Sequence, residues 1–176
     1  MIYYRIEIPL KQPYPEYISL IPIADIHNGN PYSNIVKATE FRDYVIETPD
    51  TYTLDGGDDM DNVTKESKGN IYDQQYSPHY QKKKTIEFWK PVQDSNKLLC
   101  ICDDNHTARS RNLADWHIVE DVCETLGARY GGFGCFLELI IGEQRYTIYA
   151  LHGKRGGTSP AAALNNLISM NQRCIA

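Results

Sequence analysis

The chain has 176 residues, of which 41% are hydrophobic and 23% are charged, and its formal net charge is -5. This length fits one domain, residues 1–176, that buries a core of its own. The negative charge and the lack of a long basic run exclude a broad electrostatic surface for duplex nucleic acid. No apolar stretch approaches the roughly 20 residues that span a bilayer, and the N-terminus lacks the pattern of a signal peptide. We therefore expect a cytoplasmic protein that does not enter a membrane.

Five cysteines are scattered along the chain. Cys100 and Cys102 alternate with apolar residues in a predicted strand, which favours packing as small hydrophobic side chains. A structural zinc site would need paired C-x-x-C spacing, and the sequence has none. The pattern disfavours both disulfides and a cysteine-bound metal, and it indicates a reducing compartment.

The first half of the chain predicts strands that alternate with a helix. Apolar residues at every second position predict a strand over 2–8, which ends at a proline. The near-continuous apolar run 18–24 is typical of a strand covered on both faces. Helical spacing of apolar residues predicts a helix over 34–47, and a short strand over 51–54 then runs into two glycines.

The middle of the chain predicts two helical regions around a strand. The polar region 70–90 carries spaced aromatic residues and predicts helix interrupted near Pro78. Residues 98–102 read as a further buried strand. An amphipathic pattern predicts a helix over 112–126, with Gly127 at its C-terminal cap.

The last part of the chain predicts a hairpin followed by a helix. Strands over 133–141 and 146–151 flank Gly142 with hairpin spacing. Ser159-Pro160 opens a predicted helix that runs toward Met170. Strands that alternate with helices predict an α/β domain with one antiparallel hairpin.

Four short motifs rich in aspartate, asparagine and histidine each follow a predicted strand: Asp25-Ile26-His27, Gly57-Asp58-x-x-Asp61-Asn62, Asn105-His106 and His152-Gly153. Open α/β sheets build their sites at the ends of strands. In an extended segment residues two apart point the same way, so Asp25 and His27 could reach one ion. Each motif alone has an ordinary interpretation as a cap, a turn or a surface histidine. Together the four motifs predict a metal site.

The ordered motifs resemble those of the calcineurin-like metallophosphoesterases, which read D-x-H, G-D-x-x-D, G-N-H-D/E, a single His and then G-H-x-H. The spacing is similar to that of the small phage-type members, and the resemblance covers the chain from Ile18 onward. It implies a four-layer sandwich of β-sheets flanked by helices. It also implies two divalent cations, most readily manganese, with iron, zinc or magnesium as alternatives.

The resemblance also implies a role for each site residue. Asp25 and His27 would bind the first metal, Asp58 would bridge both metals, and Asn105 and His152 would bind the second. The implied reaction is hydrolysis of a phosphomonoester or phosphodiester, including nucleotides or nucleic acid, by a water that bridges the two metals.

Three further positions complete the implied chemistry. His106 would face the leaving-group oxygen as a catalytic proton donor or charge stabiliser, and Asp61 would orient it. Arg109 could contact the phosphate of the substrate or form a surface salt bridge.

A glycine-rich segment after His152 adds two candidate substrate-binding residues, Lys154 and Arg155. The segment leads into the N-terminus of the predicted last helix, where free backbone N–H groups favour an anion. The alternative is an ordinary connecting loop.

The sequence departs from the family pattern at two places. Asp104 and Thr107 replace the glycine and the acidic residue around Asn105-His106, and no G-H-x-H follows His152. Each metal would then lack one protein ligand, and the fold would lack its last strands. An incomplete sheet edge could pair with a partner chain or a second copy. The alternatives to an active phosphoesterase are an impaired, truncated family member that binds a phosphate ligand or a protein, and a plain nucleotide-binding module.

Overall fold

The computed structural model describes residues 1–67 and 69–153. These residues form a mixed α/β structure with two three-stranded sheets and four α-helices, so the predicted α/β class is confirmed. The strands are β1 (Ile2–Ile8), β2 (Ser19–Leu20), β3 (Thr51–Asp55), β4 (Leu98–Ile101), β5 (Cys135–Ile141) and β6 (Gln144–Ala150). The helices are α1 (Ile35–Glu47), α2 (Pro78–Asp94), α3 (Thr107–Ala114) and α4 (Ile118–Leu126). Within the described ranges, no helix is both long and apolar enough to cross a membrane.

The two sheets differ in strand direction. One sheet has the order β2-β3-β4, and all of its strands are parallel. The other has the order β1-β5-β6, with β1 parallel to β5 and β6 antiparallel to β5. The predicted hairpin is confirmed, and Gly142 provides its turn with a φ of +60°.

The sheets face each other across an apolar core, and helices cover the other side of the parallel sheet. Side chains from both sheets fill the space between them, which we call the inner core: Ile6, Ile8, Leu54, Leu99, Cys100, Cys102, Cys135, Leu137, Leu139 and Ala150. A second cluster joins β4 to helices α1, α2 and α4 through residues such as Val45, Trp89 and Val122. Cys100 and Cys102 are buried free thiols, as predicted.

The prediction of a doubly covered strand over 18–24 is wrong. Only Ser19–Leu20 forms a strand, it lies at the edge of the parallel sheet, and only Ile23 of that run is buried. Position 22 faces the open edge of the sheet, away from β3, where a proline without an N–H is tolerated. The backbone N–H groups of Ile21 and Ile23 still bond to carbonyls of β3, so the chain continues alongside it.

Two helix predictions need correction. The predicted helix over 112–126 is two helices, α3 and α4, because Asp115 takes a left-handed conformation between them. Pro78 begins α2 rather than interrupting a helix, and only a short 3-10 turn over Ile71–Asp73 precedes it. Gly127 caps α4 with a φ of +65°, as predicted. The predicted helix from Ser159 to Met170 lies outside the described residues.

Candidate metal centre

The loops that follow β2 and β3 are joined to each other by backbone hydrogen bonds. The amide of Asp25 donates to the carbonyl of Gly57 at 3.0 Å, and the amide of His27 donates to the carbonyl of Asp58 at 2.9 Å. Asn28 continues the pattern by donating to the carbonyl of Asp59 at 2.7 Å. These bonds fix the first two motifs side by side at one edge of the parallel sheet.

The residues of these loops are not extended, so the strand argument for Asp25 and His27 is wrong. Their φ angles are +57° and +48°, and Asp58 has a φ of +57°. The left-handed region costs an L-residue roughly 1–2 kcal/mol. The resulting turns still bring Asp25 Oδ1 to 3.8 Å from His27 Nε2. Strained backbone of this kind gathers at binding and catalytic sites.

Gly57 makes this arrangement possible. Its φ is +93°, and an added Cβ would lie 2.9 Å from the Asp104 Cβ and 3.0 Å from His152 Nδ1. Contacts this short exclude a side chain at position 57 without movement of its neighbours. The glycine therefore lets the second, third and fourth motifs approach one another.

Asp58 lies at the centre of a group of six side chains, which we call the His/Asp cluster. Its Oδ2 atom is 3.4 Å from His152 Nε2, 3.8 Å from His106 Nε2 and 3.9 Å from His27 Nε2. Its Oδ1 atom is buried and has no hydrogen-bond partner among the described residues. Ligand atoms about 2.1 Å from one metal lie roughly 3–4 Å from each other. The six members are Asp25, His27, Asp58, Asp61, His106 and His152.

Asp61 completes the cluster and is held by neutral amides. Its Oδ1 atom lies 3.6 Å from the Nδ1 atoms of both His27 and His106. Its Oδ2 atom accepts hydrogen bonds from Gln74 at 2.6 Å and from Asn30 at 3.3 Å. The buried Nδ1 of His27 has no hydrogen-bond partner among the described residues.

Two overlapping groups of side chains in the cluster could each hold a metal ion. One consists of Asp25, His27 and Asp58, and the other consists of His27, Asp61 and His106. In each group the ligand atoms lie within 4.8 Å of one another. The structure therefore assembles side chains that could bind a metal ion. The first group contains only predicted ligands, whereas the second contains Asp61 and His106, for which the resemblance implies catalytic roles.

Backbone carbonyls fix the proton on two of the histidines. His106 Nδ1 lies 2.7 Å from the Asp61 carbonyl oxygen, and His152 Nδ1 lies 2.8 Å from the Gly56 carbonyl oxygen. A carbonyl only accepts, so in both rings Nδ1 carries the hydrogen and Nε2 offers its lone pair in the neutral form. Both Nε2 atoms face Asp58, which is the arrangement that metal-binding histidines require.

A layer of buried carboxylates lies behind the cluster. Burial raises the pKa of Asp59 to about 7, and burial also raises the pKa of Asp55 well above its usual value. The indole of Trp89 donates to one oxygen of Asp59, whereas the other oxygen has no partner in the described part of the chain. The concentration of acidic groups favours a cation in front of them.

Asp104, which the sequence left without a role, is buried, and one of its carboxylate oxygens accepts two hydrogen bonds. Its Oδ1 atom accepts from the Thr107 amide at 2.6 Å and from the Thr107 hydroxyl at 2.9 Å. Burial raises the pKa of this carboxyl, and the nearby charge of Asp58 raises it further. Asp104 therefore anchors the start of α3 beside the cluster.

Sequence reasoning missed several residues that hold the centre in place: Asn30, Asp59, Gln74 and Asp104. Asp59 and Asp104 each stand next to a predicted ligand, which is a usable signal. Gln74 lies in a polar loop, and neither spacing nor periodicity connects it to Asp61.

The remaining predicted residues lie around the cluster. Asn105 is exposed and makes no hydrogen bond to another described residue, although it lines a cavity of about 1170 Å³ with His106 and His152. Arg109 lines the same cavity and donates to the Asp61 carbonyl at 3.1 Å, and no carboxylate pairs with it in the described ranges. Lys154 and Arg155 lie outside the described residues.

Compared with models of known families, with curated proteins and with solved structures, the chain shows no match. The resemblance to metallophosphoesterases therefore rests on the four motifs alone.

Proposed function

We propose that the chain is a metal-dependent phosphoesterase of the calcineurin-like type. The observation that carries the proposal is the convergence of four loops, each after a strand, on the carboxylate of Asp58. Three imidazole nitrogens lie within 3.9 Å of its Oδ2 atom. Two facing sheets with helices outside one of them are compatible with the four-layer sandwich of that family.

The residues present fit a pair of divalent cations. Asp25, His27, Asp58 and His152 would hold them, and Asn105 would join if its loop moved toward the cluster. Two buried atoms, His27 Nδ1 and Asp58 Oδ1, have no hydrogen-bond partner among the residues that the structure describes, and a bound cation would satisfy them. Mixed carboxylate and imidazole ligands suit manganese first and iron or zinc next. When bound, the cations would supply positive charge to the phosphate and lower the pKa of water.

The chain itself supplies the groups that act on the leaving group and the phosphate. His106 turns its Nε2 atom into the centre because Asp61 holds Nδ1 through its backbone carbonyl. Protonated at Nε2, it would donate to the departing oxygen. Arg109 bonds to the same carbonyl and lines the cavity, where its guanidinium would bind a phosphate oxygen.

The proposal is tested by metal uptake and hydrolysis of p-nitrophenyl phosphate by wild type and Asp58→Asn. We expect manganese-stimulated hydrolysis in wild type and a loss of about 100-fold or more in the variant, because the central carboxylate is gone. Asp94→Asn removes an exposed carboxylate whose one ion-pair partner among the described residues is Lys90, so it should match wild type.

Two results would contradict the phosphoesterase. If Asp58→Asn still hydrolyses the substrate, the activity does not depend on the His/Asp cluster. If wild type binds no manganese, the cluster is not a metal centre. Metal binding without any turnover would favour the second candidate, a phosphate-binding module. That candidate is supported by the exposed side chain of Asn105, a predicted metal ligand that makes no hydrogen bond to another described residue.

A further inference from the structure

Two neighbouring clefts meet at the His/Asp cluster. The first is the cavity of about 1170 Å³, and it contains His106 and His152. The second has a volume of about 630 Å³ and contains Asp25 and His27. The linings of both clefts share three residues, Asn30, Tyr32 and Asp61. A molecule bound at the centre therefore has room to extend in two directions.

The first cleft has an aromatic wall. The rings of Phe136 and Tyr149 stack with their centroids 4.6 Å apart, and Phe133 beside them is exposed. Arg109 lines the same cleft and donates to the carbonyl of Asp61, so it supplies a positive charge next to the cluster. An aromatic face next to a cation suits a planar base attached to a phosphate.

The second cleft repeats this combination on a smaller scale. Phe41, which is half exposed, and Ile21 both line this second cleft. Lys37 lies with its Nζ atom 5.3 Å from the centre of the Phe41 ring, and it also pairs with Glu40. The lining of each cleft thus contains at least one aromatic ring and one cation.

Tyr32 stands where the two clefts join. Its side chain is 94% exposed, and the loop below it is held by a hydrogen bond from its own amide to Asn30 Oδ1 at 2.9 Å. A large apolar ring left open to solvent at a metal centre is available to stack on a bound molecule.

We propose that the substrate is a phosphodiester flanked by two nucleobases, as in single-stranded nucleic acid. The inference rests on the proposed phosphoesterase function. A phosphomonoester has one ester arm and would fill one cleft, whereas a diester has two arms and fills both. Hydrolysis adds water across one P–O bond, so one arm leaves as an alcohol and the other keeps the phosphate. The negative net charge of the chain fits a single strand bound by stacking better than a duplex bound by charge.

The test compares two substrates that share a leaving group. The p-nitrophenyl ester of thymidine monophosphate is a diester with a nucleoside arm, and p-nitrophenyl phosphate lacks that arm. With manganese-loaded wild type, we expect kcat/KM for the diester to exceed that for the monoester by about tenfold or more, the effect of one stacked base.

Substitutions in the clefts should lower this preference. Tyr32→Ala and Phe41→Ala each remove a ring, and the ratio of the two kcat/KM values should fall by about fivefold or more in each. Tyr72→Ala is the matched control, because Tyr72 is 92% exposed and lines neither cleft. Its ratio should equal that of wild type.

Binding gives a second readout that does not depend on turnover. By calorimetry, dithymidine phosphorothioate should bind about tenfold more tightly than thymidine monophosphate, and Tyr32→Ala should remove the difference. A preference for the monoester, or ratios that no cleft variant changes, would overturn the diester assignment and leave the phosphoesterase intact. Failure to hydrolyse either substrate would overturn both.

Discussion

The inner core and the His/Asp cluster lie against each other in this molecule and are built on opposite principles. The inner core is made of apolar side chains and thiols from regular strands, with Leu137 and Cys100 fully buried. The cluster is made of charged and polar side chains on turns. Of the seven non-glycine residues with positive φ in the described ranges, four stand in the motifs, namely Asp25, His27, Asp58 and Asn62.

The two regions therefore contribute to the free energy of unfolding with opposite signs. Burial of apolar surface stabilises by roughly 25 cal/mol per Å², so the inner core supplies stability. Left-handed aspartates and buried carboxylates without partners each reduce stability. Substitutions in the core should therefore change the free energy of unfolding, and substitutions in the cluster should change metal affinity.

The largest expected effect on stability comes from the core. Leu137→Ala removes a fully buried side chain from β5 and should lower the free energy of unfolding by about 2–5 kcal/mol. Urea titration measures the loss. Manganese affinity of the protein that remains folded should match that of wild type, and a parallel loss of affinity would show that core and cluster are not separable.

An effect of similar size is expected from pH, through Asp59. Its pKa is about 7 in the folded protein and 3.8 in ordinary surroundings, because burial disfavours its ionised form. The unfolded state therefore loses the proton first, and the free energy of unfolding falls as pH rises from about 4 to about 7. One pKa unit corresponds to about 1.4 kcal/mol, so the fall amounts to a few kcal/mol.

Asp59→Asn carries no charge at any pH and should flatten this dependence. The measurement is a series of urea titrations of the metal-free protein in chelator between about pH 4 and pH 8. Asp55 contacts Asp59 and is also buried, so a part of the slope should remain. An unchanged slope would contradict the assignment, and Asp94→Asn serves as the exposed control.

Gly57 lies next to the His/Asp cluster, and comparing its substitution with that of Gly127 separates the cost of backbone strain from the cost of close contacts. Gly57→Ala adds strain and places a Cβ 2.9 Å from the Asp104 Cβ, so we expect a loss of about 1–3 kcal/mol together with weaker manganese binding. Gly127 also has a positive φ, but an added Cβ there meets no atom within 4 Å. Gly127→Ala should cost only about 1 kcal/mol and leave metal affinity unchanged.

Most of the regular structure could be predicted from the sequence. Apolar runs predict the ends of β1, β3, β4, β5 and β6 to within about three residues, because buried strands are rich in apolar residues. The run over 18–24 was misjudged for a physical reason. Whether an apolar strand is central or at an edge depends on which strands pair beside it, and local sequence does not carry that information.

The membership of the candidate site could be predicted, but its geometry could not. The order of the motifs is enough to name all six members of the cluster: Asp25, His27, Asp58, Asp61, His106 and His152. The left-handed turns that bring Asp25 and His27 together depend on backbone bonds to the loop after β3. The same holds for Gln74, which reaches Asp61 across a loop without periodicity.

The resemblance and the structure differ on the role of Asn105. Substitution of this residue should have the smallest effect on manganese affinity. The resemblance makes it a metal ligand, whereas the structure leaves it exposed while Asp104 holds the start of α3 in place. Asn105→Ala should lower manganese affinity by less than about tenfold, since other ligands already surround Asp58. Calorimetric titration with manganese measures the change. A loss as large as that of Asp58→Asn would mean that the loop at Asn105 closes onto the metal.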